Sequence, residues 1–155
     1  MSSSSSATKT YIQTQVLPPV QNLLTSALKV QRLTSNLTAG GATTMCSGAV
    51  TTPSVYNSGG VAADLVIFVV DTTDSTSGYI AQAGACSIST ANYRPVFGLL
   101  RYNLYYISST TNDATIESHI YTTLHEITHV LGFSSGLYNY YINPTTNTVL
   151  TGHVT

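Results

Sequence analysis

From Asp113 to Phe133 the chain repeats apolar residues at a helical spacing: Ile116, Ile120, Leu124, Ile127 and Leu131. At about 100° per residue these five form one stripe along a helix of about six turns, and a stripe of that length must be buried. Asp113 is placed to cap its start, and Gly132 to end it in a left-handed turn. Strands upstream supply the surface to pack on. Ala63–Val70, ADLVIFVV, is a continuous apolar, β-branched run suited to a central strand buried on both faces. Tyr79–Ile88, YIAQAGACSI, is strand-like but small-residued and carries Gly84, as an edge or bulged strand would. Arg94–Ser108 reads as another strand, and residues 36–60 as short β-prone pieces broken by Gly, Pro and Ser. An earlier helix has Pro18 and Pro19 in its first turn and carries Leu17, Val20, Leu24, Ala27 and Leu28 to about Lys29–Arg32. Helix, strands, helix is the order of an α+β fold, with two main helices on a mixed, twisted sheet.

At 155 residues the chain is about one domain by length. Only 7% of its residues are charged, against roughly a quarter in ordinary soluble domains. A net charge of −1 excludes a basic footprint for nucleic acid or an anionic membrane surface. Residues 1–10, MSSSSSATKT, read as disordered or a loop remnant and lack the basic and apolar regions of a signal peptide. The longest apolar run, Leu65–Val70, is too short to span a bilayer. Asn36-Leu37-Thr38 is a glycosylation sequon. The two cysteines, Cys46 and Cys86, fit one bridge or two buried thiols equally well.

The chemistry lies on the last helix. His125 and His129 fall nearly opposite the apolar stripe, side by side at i and i+4, and Glu126 projects about a quarter turn from them. Two neutral imidazoles one turn apart can bind one Zn²⁺ at about 2.0–2.1 Å each. The ion lowers the pKa of a water toward ~7, and the neighbouring carboxylate takes its proton as it attacks a peptide carbonyl. The competing reading is a surface helix with two incidental histidines. His-Glu-x-x-His arises by chance in roughly a few chains per thousand of this length, so the zinc reading is preferred. His119, on the edge of the same helix, reads as a satisfied polar residue, and His153 lies in a polar tail. No Asp or Glu follows Glu126, which excludes a downstream carboxylate as third ligand within the chain.

The stretch HEITHVLGFSSGLYNYYINP resembles the leishmanolysin family of metzincin zinc peptidases. VLPPVQNLLTSALKVQRLTSNL, GVAADLVIFVV and GYIAQAGACSISTANYRPVFGLLRYN look like successive segments of that family, and together the matches cover most of residues 16–142. The uncharged Thr, Asn and Tyr style resembles ciliate members more than trypanosomatid ones. The resemblance implies a zincin-like N-terminal catalytic subdomain of a secreted or surface-attached endopeptidase acting on proteins and peptides. It implies His125 and His129 as ligands of one zinc, Glu126 as general base, and a Cys46–Cys86 bridge. It also implies that an extended substrate lies along an edge strand formed by Tyr79, Ile80, Ala81, Gln82, Ala83, Gly84 and Ala85.

Departures from the family pattern shape a further expectation. Most metzincins place a third His where this chain has Ser135, whereas leishmanolysins insert a long segment before that His. The only methionines are Met1 and Met45, so no methionine turn is present. The expected organisation is therefore incomplete at both ends: 1–10 as a remnant, 11–136 as a partial catalytic subdomain, and 137–155 as the start of the insertion. The third ligand is expected beyond the chain end, not at His153, and any membrane association in regions outside the chain. Rival readings are a non-catalytic surface binding or adhesion protein on the same scaffold, a Thr/Ser-rich coat protein, or a catalytically incompetent fragment. The intact Glu126 argues against the first.

Overall fold

A computed structural model describes residues 3–146 and 148–150. Its core is a three-stranded mixed sheet of β3 (Val66–Thr72), β4 (Ala81–Ile88) and β5 (Pro95–Asn103), in the order β3-β5-β4. β5 runs parallel to β3, with Val66 beside Phe97, and antiparallel to β4, with Gly84 opposite Leu99. Helices cover one face. α1 (Ser3–Tyr11), a π-turn (Ile12–Val16) and α2 (Leu17–Ala27) follow one another directly, and α4 (Asp113–Leu131) packs against β4, β5 and α2. The other face carries residues 33–63, including the small hairpin β1 (Thr44–Met45) and β2 (Val50–Thr51) and the one-turn α3 (Val55–Ser58). The α+β expectation, with two main helices on a mixed sheet, holds.

Several local expectations are corrected. Residues 3–10 are helical, not disordered. Thr8, Ile12, Val16 and Val20 repeat every fourth position and are all buried, so the stripe of α2 begins well before Pro18. The Ser-rich composition hides this. The two prolines then sit inside a longer helical run. A proline lacks an N–H and collides with the carbonyl four residues back; here the Leu17 N–H reaches Ile12 O instead, and the widened turn accommodates both rings. α2 stops at Ala27, short of Lys29–Arg32, because Leu28 turns extended and Asp64 draws the chain aside. The Asp64 carboxylate accepts the Leu33 N–H at 2.7 Å and pairs with Arg32 at 2.8 Å.

The strand containing Val66–Val70 is not central. It has β5 on one side only among the described residues, and Val69 is 46% exposed. Its two faces do pack: Ile67 joins the helix-side core, and Val66 and Phe68 join the other. An apolar run reports that both faces are covered, which does not say whether both edges are paired. β5 is the central strand, with Phe97, Leu100 and Tyr102 all buried. It ends at Asn103, short of Ser108. The buried Asn103 amide accepts the Asp74 and Tyr105 N–H groups and donates to Asp74 O at 2.7 Å, which turns the chain. Among the described residues β4 is an edge strand, with a register shift around Cys86, as its small residues and Gly84 suggest. Tyr79 and Ile80 precede it, although Ile80 O still accepts the Asn103 N–H at 2.8 Å.

Cys46 and Cys86 are bridged, their Cα atoms 4.8 Å apart. The bridge ties the hairpin turn to β4. Closing a separation of 40 residues stabilises by roughly 4 kcal/mol in the chain-entropy model. The turn it anchors holds Cys46, Ser47 and Gly48 all at positive φ.

The helix–sheet distance is set at Gly98. A Cβ there would lie 2.3 Å from Val130 Cγ1, so only glycine lets α4 approach β5 this closely. Gly98→Ala should force the helix outward and lower stability by about 1–3 kcal/mol, the usual range for overpacking. Urea unfolding checks this; an unchanged midpoint would mean that Val130 yields without cost.

Candidate active site

α4 starts at Asn112, not Asp113: the Asn112 Oδ1 accepts the Thr115 N–H at 3.0 Å. Asp113 instead contributes negative charge to the first turn, where the helix dipole favours it. The buried line of the helix is His119, Thr123, Ile127 and Val130. Ile116, Ile120, Leu124 and Leu131 flank that line, half-buried against the core. The helix is thus rotated by about 60° from the expected stripe. This rotation turns Glu126 toward the sheet and leaves His125 exposed.

Glu126 meets the edge strand. Its Oε2 accepts the Ala83 N–H at 2.9 Å. An N–H used this way is not in the β4–β5 ladder, so Ala83 directs its main-chain groups to the free edge. By the alternation of an antiparallel pair, Ala81 and Ala85 do the same, while Gln82 and Gly84 bond to β5. The helix residue and the free strand edge therefore form one cleft.

The two histidines face each other. Their Nε2 atoms lie 3.3 Å apart. Two nitrogens held at 2.0–2.1 Å on a tetrahedral zinc stand roughly 3.3–3.4 Å apart, so the spacing fits a shared ion. Side-chain donor atoms of His125, Glu126 and His129 all lie within 4.8 Å of one another, the one such His/Cys/Asp/Glu grouping among the described residues.

The end of the helix orients one of the two imidazoles. Gly132 adopts φ 139°, a value that favours glycine, and the chain reverses. The Phe133 carbonyl returns to His129 Nδ1 at 2.6 Å. A carbonyl only accepts, so Nδ1 donates to it, and Nε2 is the ring nitrogen turned toward His125. Tyr141 OH donates to Gly132 O at 2.7 Å and fastens the following segment to this turn. Sequence reasoning used Gly132 as a helix stop and a family marker, not as the turn that brings Phe133 O to His129, and gave Ala83 no link to Glu126. The glycine three residues past the second histidine was the available signal for the first; the second, between residues distant in sequence, had none.

Beneath the site runs a buried polar chain. Tyr11 OH and His119 Nδ1 are 2.8 Å apart, the Thr123 hydroxyl donates to His119 O at 2.8 Å, and Tyr102 OH lies 2.7 Å from that hydroxyl. Having given its proton to the carbonyl, the Thr123 oxygen accepts from Tyr102. Burial pushes the Tyr102 phenol up to about 12. His119 is the satisfied polar residue expected, 8% exposed and bonded to the first helix. His153 lies outside the described residues.

A helix presenting two imidazoles and a carboxylate to a free strand edge is the arrangement of a zinc-dependent metallopeptidase. The chain belongs to the leishmanolysin family, whose model matches residues 5–149. No curated protein matches the chain.

Burial lowers the pKa of His119, favouring its neutral form in the fold. The unfolded chain titrates near ~6.5 and binds the extra proton first. The contribution of His119 is therefore complete above ~6.5 and lost as pH falls from there through the lower folded value. Thermal melts of metal-free protein between pH 8 and 5 should show this acid loss, and His119→Gln should flatten it. An identical slope in the variant would assign the acid sensitivity to other groups.

Proposed function

We propose that this chain carries the zinc-binding and proton-transferring part of an endopeptidase that cleaves extended segments of protein substrates. The observation supporting this most strongly is the meeting of three features: paired Nε2 atoms 3.3 Å apart, the adjoining Glu126 carboxylate, and the unpaired edge of β4. His125 and His129 would hold the ion through Nε2. Zinc, when bound, supplies a Lewis acid that polarises a carbonyl and brings the pKa of a water down to ~7. Catalytic zinc takes three protein ligands, and the helix supplies two. The third is proposed to come from beyond the described residues.

Glu126 acts as general base. One oxygen is held by the Ala83 N–H, which fixes the carboxylate without neutralising it, and the other is available to take the proton of the attacking water. As the carbon–oxygen bond forms and the carbon–nitrogen bond breaks, the same carboxylate passes that proton to the departing amine. The substrate lies extended against Ala81, Ala83 and Ala85; the outward main-chain groups of Ala81 and Ala85 and the Ala83 carbonyl supply affinity, and side-chain pockets supply selectivity. Tyr79 and Ile80 precede the strand and would bound the cleft at that end.

The Cys46–Cys86 bridge supports an oxidising, extracellular or cell-surface setting. No helix among the described residues is long and apolar enough to cross a membrane. Zinc-loaded full-length protein carrying Glu126→Gln should keep its zinc and lose turnover of a generic protein substrate by ~10²–10⁴-fold. His125→Ala and His129→Ala should each lose the metal. Near wild-type turnover by the Gln variant would contradict the assigned base.

A further inference from the structure

The two faces of β4 are chemically different. Gly98 meets Val130 of α4, so Gly98, Leu100 and Tyr102 point to the helix side, and Phe97 and Leu99 point away. Directly opposed residues in an antiparallel pair share a face. Gly84, opposite Leu99, therefore belongs to the face away from α4 and from the histidines.

That face holds a depression of about 270 Å³ at the free edge. Leu99 and the open position of Gly84 form its floor, the Cys46–Cys86 bridge one wall, and Ser47 and Gln82 its rim. None of these residues is charged. The overhanging turn is kept in place by the bridge even though Cys46 and Ser47 both sit at positive φ, 53° and 56°. Backbone held in a sparsely populated region by its surroundings is a feature of ligand clamps.

The geometry points to a specificity subsite for the substrate residue seated across from Gly84, taking a bulky uncharged side chain such as Leu, Met or Phe. This rests on the proposal that substrate pairs with the edge of β4. An extended peptide added there alternates its side chains between the two faces. The residues on either side of that position project toward Glu126 and the histidines, and of these three that position alone faces the depression. Its size and apolar floor favour a large side chain, and desolvating a charge there would find no partner of opposite sign on the walls. Selection is thus set by the hairpin turn and the bridge, on the face opposite the chemistry.

Gly84 supplies the test. A Cβ built on it meets nothing within 4 Å, and its φ is not in the left-handed region, so a side chain fits the fold and fills only the depression. Its main-chain groups bond to β5 and not to the substrate. Peptide libraries varied at each position in turn would be cleaved by the zinc-loaded full-length protein. Wild type should show one position preferring Leu or Phe over Ala and over Asp or Lys by at least ~10-fold in kcat/KM, the scale of one or two buried methylenes. Gly84→Leu should abolish or invert that preference and leave the flanking positions' preferences unmoved; Gly84→Ala should shift it less. Unchanged selectivity in both variants, or an equal shift at every position, overturns the subsite. Ala85→Pro, which removes an outward N–H that holds no catalytic group, separates the underlying reading: a silent proline there would show that substrate does not pair with β4. A wild-type protein that binds no zinc and cleaves no peptide would reject the protease itself.

Discussion

The Ala83 N–H bonded to Glu126 joins two elements that are otherwise independent: a helix bearing a pair of imidazoles and a strand with a free edge. Separately, each is common. Joined at 2.9 Å, they put a carboxylate, a pair of imidazoles spaced to share an ion and a strip of outward main-chain groups in one cleft. Three features on different parts of the chain set this arrangement. Gly98 lets Val130 sit against the sheet, the rotation of α4 carries Glu126 to the strand side, and Gly132 ends the helix so that Phe133 O reaches His129. Altering any of them changes the site without touching a residue of the site.

The protein builds this with very few charges. Polar work that ion pairs do elsewhere is assigned to neutral groups: Asn112 caps the helix, Asn103 holds the loop at Asp74, and Tyr11, His119, Thr123 and Tyr102 form a connected chain under the site. The Lys9–Asp71 pair is partly exposed on both sides and Arg32 is exposed in its pair with Asp64, so both contribute little by themselves. Neutral partners avoid the desolvation cost of burying charge, so the helix can be pressed against the sheet without a compensating counter-ion. The one covalent tie, between Cys46 and Cys86, falls where the secondary structure is thinnest, in a region of two-residue strands and a one-turn helix.

Much of the site was legible because helical periodicity converts spacing into geometry. His125 and His129 had to be neighbours, and their face had to oppose an apolar one. The small-residue character of Ala81–Ala85 likewise marked an edge. What could not be read has a common physical origin in tertiary packing. The stripe of α4 is set partly by His119 and Thr123, polar residues buried only because Tyr11 and Tyr102 happen to meet them. The helix at Ser3–Tyr11 is supported by burial of Thr8 and Tyr11, which outweighs the Ser-rich composition. The apolar run at Val66–Val70 reported burial on two faces, and pairing on one edge lies outside what a run can report.

The central claim is that one zinc is held by His125 and His129 beside a carboxylate that stays bound to the strand. Anomalous diffraction at the zinc edge, from crystals of zinc-loaded protein, tests it directly. One strong peak is expected about 2.0–2.1 Å from both Nε2 atoms, with Glu126 outside bonding distance of the metal and within reach of the Ala83 N–H. A peak elsewhere, or a Glu126 carboxylate that ligates the metal directly and no longer accepts the Ala83 N–H, would contradict it.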